Sequence, residues 1–103
     1  MTGQCLTDAE LGRMVVQACA NDYEDFEMIV SEVAKWTKSK FKTPGISEIE
    51  DALLMSITEG NVIAYEYSET LRRFVAKQAA PQNIRTLWFC ITEECKKRLD
   101  EEM

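Results

Sequence analysis

Four cysteines (Cys5, Cys19, Cys90, Cys95) and 18 carboxylates are the groups in this 103-residue chain with metal-binding or covalent chemistry, and no histidine accompanies them. Without histidine the commonest general base and metal ligand is missing, and so is any Ser-His or Cys-His nucleophile pair. The four glycines form neither a phosphate-cradling loop nor a dinucleotide fingerprint. Cys90 and Cys95 come loosely near zinc-ligand spacing, and Cys5 with Cys19 less so. Cys19 falls on an apolar helical stripe and Cys90 in an apolar strand, surroundings that suit buried structural thiols. Cys5 is expected to be the reactive thiol, although no neighbouring cation lowers its pKa. Glu93 and Glu94 stand at a helix start, where the helix dipole accounts for both. The chain therefore reads as a non-enzyme with no catalytic residue, metal site, cofactor or small-molecule substrate.

The remaining chemistry is charge. The net charge of −6 disfavours nonspecific attraction to nucleic acid or anionic lipid, so local clusters must decide any such binding. Lys35, Lys38, Lys40 and Lys42 form the most basic stretch, and Arg72, Arg73, Lys77 and Arg85 face the single acid Glu69 in a later segment. Between these clusters, residues 46–60 carry Glu48, Glu50, Asp51 and Glu59 with no Lys or Arg. A helix that reads bases in the major groove relies on Arg, Lys, Asn and Gln and must approach a line of phosphates. This helix has none of those residues before Asn61, so its acids read as a solvated face.

The elements that position these groups follow from capping and periodicity. A hydrophobic content of 46% over this length supports one domain with one modest core. Thr7 and Glu10 make a capping box, and Leu11, Met14, Val15, Ala18 and Cys19 recur at helical spacing, which predicts a first helix over 7–21. Asn21 or Asp22 caps a second over 22–39 with Phe26, Ile29, Val30, Val33 and Trp36 inward, and Pro44-Gly45 ends it. Ser47 and Glu50 make another box for a third helix over 47–59, with Ile49, Ala52, Leu53, Ser56 and Ile57 inward and Gly60 as its C-terminal cap. Residues 61–67 and 87–92 are rich in β-branched and aromatic types and predict an antiparallel pair of strands. The intervening 68–86 reads as a long loop in which Leu71, Phe74 and Val75 form a short helical turn. Thr92 caps a last helix over 93–102, with Cys95 and Leu99 inward. No leader or apolar run of membrane-spanning length appears, so a cytoplasmic location is expected, with no membrane partner.

Three helices, a strand, a loop, a second strand and a closing helix resemble the winged helix-turn-helix superfamily. The likeness is strongest where the third helix runs through Gly60 into 61–67, and where 87–92 leads into the last helix. There Ile91 and Thr92 match the family's Leu-Thr pair, and Cys95 stands where a Gly often falls. The resemblance implies an α+β, mostly α fold: a three-helix core, a two-stranded antiparallel wing and a C-terminal helix. It makes 46–59 the recognition helix and 68–86 the wing of a protein of transcription regulation.

Two partner classes remain open. In one, DNA phosphates are contacted by Lys40, Lys42, Arg72, Arg73, Lys77 and Arg85, which positions the protein without reading sequence. In the other, a protein partner or a second copy meets the acidic third helix together with Leu71, Phe74 and Val75, extended by Tyr65, Tyr67 and Trp88.

Overall fold

A computed structural model describes residues 6–20, 23–38 and 41–102. About half of the chain is helical, and the order of elements is α1 (Asp8–Ala18), β1 (Glu24–Asp25), α2 (Phe26–Thr37), α3 (Ile46–Thr58), β2 (Val62–Ser68), β3 (Arg73–Ala76), β4 (Trp88–Ile91) and α4 (Glu93–Glu102). The fold is α+β, with a four-stranded antiparallel sheet in the order β1-β4-β2-β3 rather than a two-stranded ribbon.

Local signals set the helix starts. The Thr7 backbone N–H donates to the Glu10 carboxylate at 3.0 Å while the Thr7 hydroxyl accepts from the Glu10 amide at 3.1 Å, so the expected capping box opens α1. That reciprocal bond holds the Glu10 carboxyl below its ordinary pKa. The second helix begins later than expected, because Glu24 and Asp25 are drawn into the sheet opposite Phe89 and Trp88. Asp25 then serves as N-cap, its carboxylate accepting from the Met28 amide at 2.9 Å. The third helix takes Gly45 as N-cap instead of Ser47, and Glu48 rather than Glu50 accepts from the cap amide, at 3.3 Å. Asn21, Asp22 and Ser39, assigned to helix ends from sequence, lie outside the described residues.

Both predicted strands form and pair with each other, Val62 opposite Ile91 and Tyr65 opposite Trp88. Gly60 makes the junction into β2 with φ of 80°, a conformation that residues with a Cβ adopt only under strain. Thr92 fastens this junction to the last helix: its hydroxyl donates to the Gly60 carbonyl at 2.9 Å and accepts from the Cys95 amide at 3.1 Å. Arg98 adds a hydrogen bond to the Asn61 side chain.

The segment between β2 and β4 departs most from expectation. Residues 73–76 are extended, not helical, and fold back on β2 with Tyr67 opposite Phe74 and Ser68 opposite Arg73. A four-residue turn at 69–72 closes this hairpin, its Leu71 amide donating to the Ser68 hydroxyl at 3.1 Å. The chain returns through a loop held by Asn83, whose side chain accepts from the Ala80 amide at 2.8 Å and donates to the Gln78 carbonyl at 3.1 Å. A 3-10 turn over Ile84–Thr86 then buries Ile84 ahead of the buried Leu87.

The core lies between one face of the sheet and the first three helices. Leu11, Val15, Ala18 and Cys19 of the α1 stripe meet Phe26, Ile29 and Val33 of α2, Ile49 and Leu53 of α3, and Val62, Ala64 and Phe89 of the sheet. Trp36 was expected inward, but it is 40% exposed and Thr37 takes the buried position. The Thr37 hydroxyl loses no partner there, since it donates to the Val33 carbonyl at 2.9 Å.

Candidate nucleic-acid interface

Arg72 and Arg73 occupy the tip of the β2–β3 hairpin, exposed, and neither forms an ion pair among the described residues. Arg72 has φ of 53°, the sole positive value at a non-glycine among the described residues. Leu71 beside it is 56% exposed. Ser68 pairs with Arg73, so the sheet register fixes where the tip begins.

The hairpin carrying this tip is braced on the sheet face opposite the core. Side chains alternate along β2, so Val62 and Ala64 point inward while Tyr65 and Tyr67 point out. Phe74 stacks on Tyr23 with ring centroids 4.0 Å apart and meets Tyr67 and Trp88 edge-on at 5.3 and 5.5 Å. Tyr23 in turn meets Tyr65 edge-on at 5.0 Å. Burial in this cluster raises the Tyr65 phenol above its ordinary pKa. Tyr65, Tyr67 and Trp88 were foreseen as an outer-face surface, whereas Tyr23 carried no local signal: its partners lie far along the chain.

The other predicted cations are arranged differently. Lys77 stands 3.8 Å from Glu66 on the neighbouring strand, a solvent-exposed pair. Arg85 grips Glu50 of α3 with two hydrogen bonds, from Nε at 3.1 Å and Nη2 at 3.2 Å, and its guanidinium lies 6.0 Å from the centre of the Phe26 ring. The Glu50 carboxylate raises the Arg85 pKa further. Lys42 is exposed ahead of the Gly45 cap, and Lys40 lies outside the described residues.

Of the residues considered for a protein partner, Leu71 is free at the tip, Val75 is partly exposed on β3, and Phe74 is committed to the aromatic cluster. The acidic helix presents Glu48, Asp51 and Glu59 to solvent around Met55, which is 59% exposed.

The thiols are placed for packing. Cys19 and Cys95 are buried and Cys90 is half-buried. Burial, with smaller contributions from Cys90, Glu24 and Cys95, pushes the Cys19 thiol up to about 12, which leaves it protonated and unreactive near neutral pH. Among the described residues no group of three His, Cys, Asp or Glu side chains could hold a metal ion, and Cys5 lies outside them. An open depression lies beside Asp25, Glu27, Arg85 and Trp88. Its Asp25 is spent on capping and its Arg85 on Glu50. No helix among the described residues is long and apolar enough to cross a membrane. The chain matches no protein-family model, no curated protein and no solved structure among those compared.

Proposed function

We propose that this protein is a non-enzymatic regulatory module of winged-helix type that engages duplex DNA through the tip of the β2–β3 hairpin. Support for the fold reading comes from the order of elements: three helices, two paired antiparallel strands joined by a long excursion, and a closing helix. The observation that carries the functional reading is the pair Arg72 and Arg73, exposed at a braced tip and without an acidic partner among the described residues. Arg72 adds a second pointer. A side chain at positive φ costs about 1 kcal/mol relative to the right-handed region, and a glycine there would avoid it. Phosphate binding gives a reason for an arginine in that place.

The contact set is narrower than composition alone suggests. Arg85 is held by Glu50 through two hydrogen bonds, so Arg72 and Arg73 carry the interaction, with Lys42 and Lys77, whose pair with Glu66 is solvent-exposed, as accessories. Phosphate contacts of this kind position a protein and carry no base information, so binding is weak, tolerant of sequence and sensitive to salt. The acids of α3 keep that helix out of the groove.

An electrophoretic shift of a duplex at low salt tests this reading. Arg72→Glu with Arg73→Glu abolishes the shift and Arg85→Ala leaves it unchanged; absence of a shift with the unaltered protein refutes the reading. A protein partner is the alternative, favoured by the exposed Met55 among the acids of α3. Under that reading Leu71→Ala weakens a complex that the two arginine reversals leave intact.

A further inference from the structure

We propose that the outer face of the β2–β3 hairpin stacks an unpaired base of the DNA whose phosphates the tip holds, so that a duplex with a single-stranded overhang is bound more tightly than a fully paired one. The inference rests on the DNA reading and adds to it a contact that senses pairing. Register sets Tyr65, Tyr67, Phe74 and Trp88 on this face, with Val62, Ala64 and Phe89 on the core face. Tyr23, which belongs to neither helix nor strand, spends its ring on Phe74, stacked within 13° of parallel, and meets Tyr65 edge-on. Tyr67 differs. It meets Phe74 at an interplanar angle of 75° and is 47% exposed, a ring anchored by its neighbour and open to solvent. Such a ring suits base stacking, since every base has a π-face.

Charge supplies the occupant. Tyr67 is paired with Phe74, and Arg72 stands two residues before Phe74, which makes it a diagonal neighbour of Tyr67 across the hairpin, at a separation of roughly 7–8 Å. Arg73, opposite Ser68, leaves β3 on the other side of the sheet, so register puts Arg72 nearer a base on Tyr67. Glu69, the acid of the turn, pairs with neither arginine among the described residues. A nucleotide joins a flat apolar base to an anionic phosphate, and this corner of the hairpin joins an exposed ring to an exposed cation. In a paired duplex each base is stacked on its neighbours, and bringing one to Tyr67 requires opening its pair. In an overhang the base is already free.

Fluorescence anisotropy at low salt with three labelled DNAs tests the proposal: a blunt duplex, the same duplex with a short thymine overhang, and the same duplex with an abasic overhang that carries the phosphates without the bases. The unaltered protein binds the thymine overhang about tenfold more tightly than the abasic one, a difference of the size that one stacked base supplies. Tyr67→Leu keeps apolar bulk against Phe74 and removes the flat ring. It erases that advantage and leaves affinity for the blunt duplex unchanged, whereas Tyr67→Phe retains the preference. Arg72→Ala with Arg73→Ala weakens binding to all three DNAs. Circular dichroism verifies that each variant is folded, and the comparison of the two overhangs needs no variant, so it decides the matter should Tyr67→Leu not fold. Equal affinity for the two overhangs, or a folded Tyr67→Leu that keeps the preference, overturns the inference, while arginine-dependent binding of the blunt duplex leaves the DNA reading standing. Absence of binding to all three DNAs removes both.

Discussion

Arg72 and Arg85 belong to one basic segment, yet their surroundings differ. Arg85 is bonded twice to Glu50, 35 residues away in sequence, and ties the acidic helix to the strand segment. No local pattern announces such a pair, because it depends on how two distant elements pack. The Thr7 and Glu10 box was legible because both partners lie within one turn. Trp36 and Thr37 show a subtler limit. Both positions fit helical spacing from Phe26, Ile29 and Val33, and apolarity alone favours the tryptophan. Burial of Thr37 costs little because the Val33 carbonyl accepts its hydroxyl, an outcome that hydrophobic periodicity does not weigh. At this scale the strained Arg72 separates stability from binding. Arg72→Gly is expected to stabilise the fold by up to about 1 kcal/mol, read from urea unfolding, while weakening DNA binding. A glycine variant that is less stable and binds equally well would remove the functional reason for the arginine.

The elements that sequence patterning located best are those with their own caps and stripes. The helices and strands β2 and β4 appear close to their expected positions, with the start of α2 shifted by the pairing of Glu24 and Asp25 in the sheet and the α3 cap moved from Ser47 to Gly45. Strands β1 and β3 were not legible; β1 has two residues and exists through its pairing with β4. The helical spacing of Leu71, Phe74 and Val75 points to a short helical turn where the chain instead forms β3. Its extended form depends on partners across the hairpin, Phe74 against Tyr67 and Val75 against Glu66. Phe74 therefore supports the hairpin more than it offers a binding surface. Phe74→Ala should loosen the hairpin and lower stability by about 2 kcal/mol, from lost ring contacts and buried area. Amide exchange confined to 65–76 would accelerate most. Exchange unaltered across these residues would mean that the cluster does not brace the tip.

For the whole molecule the governing quantity is the distribution of a net charge of −6. The sequence sets four acids on the third helix and a basic cluster on either side of it, and this much of the candidate site was readable from sequence. Which cations stay free was not, because it depends on carboxylates brought near by folding, Glu50 to Arg85 and Glu66 to Lys77. What remains is a mostly acidic body with an exposed arginine pair at the end of a braced hairpin. Attraction of such a body to DNA is local and is screened by salt. The most direct test is the salt dependence of binding to a labelled duplex, followed by fluorescence anisotropy. If Arg72 and Arg73 each contact phosphate, replacing both with Ala lowers the slope of log affinity against log salt concentration by about two. A slope that both substitutions leave unchanged, or no binding by the unaltered protein at low salt, would contradict the hairpin tip as the DNA contact.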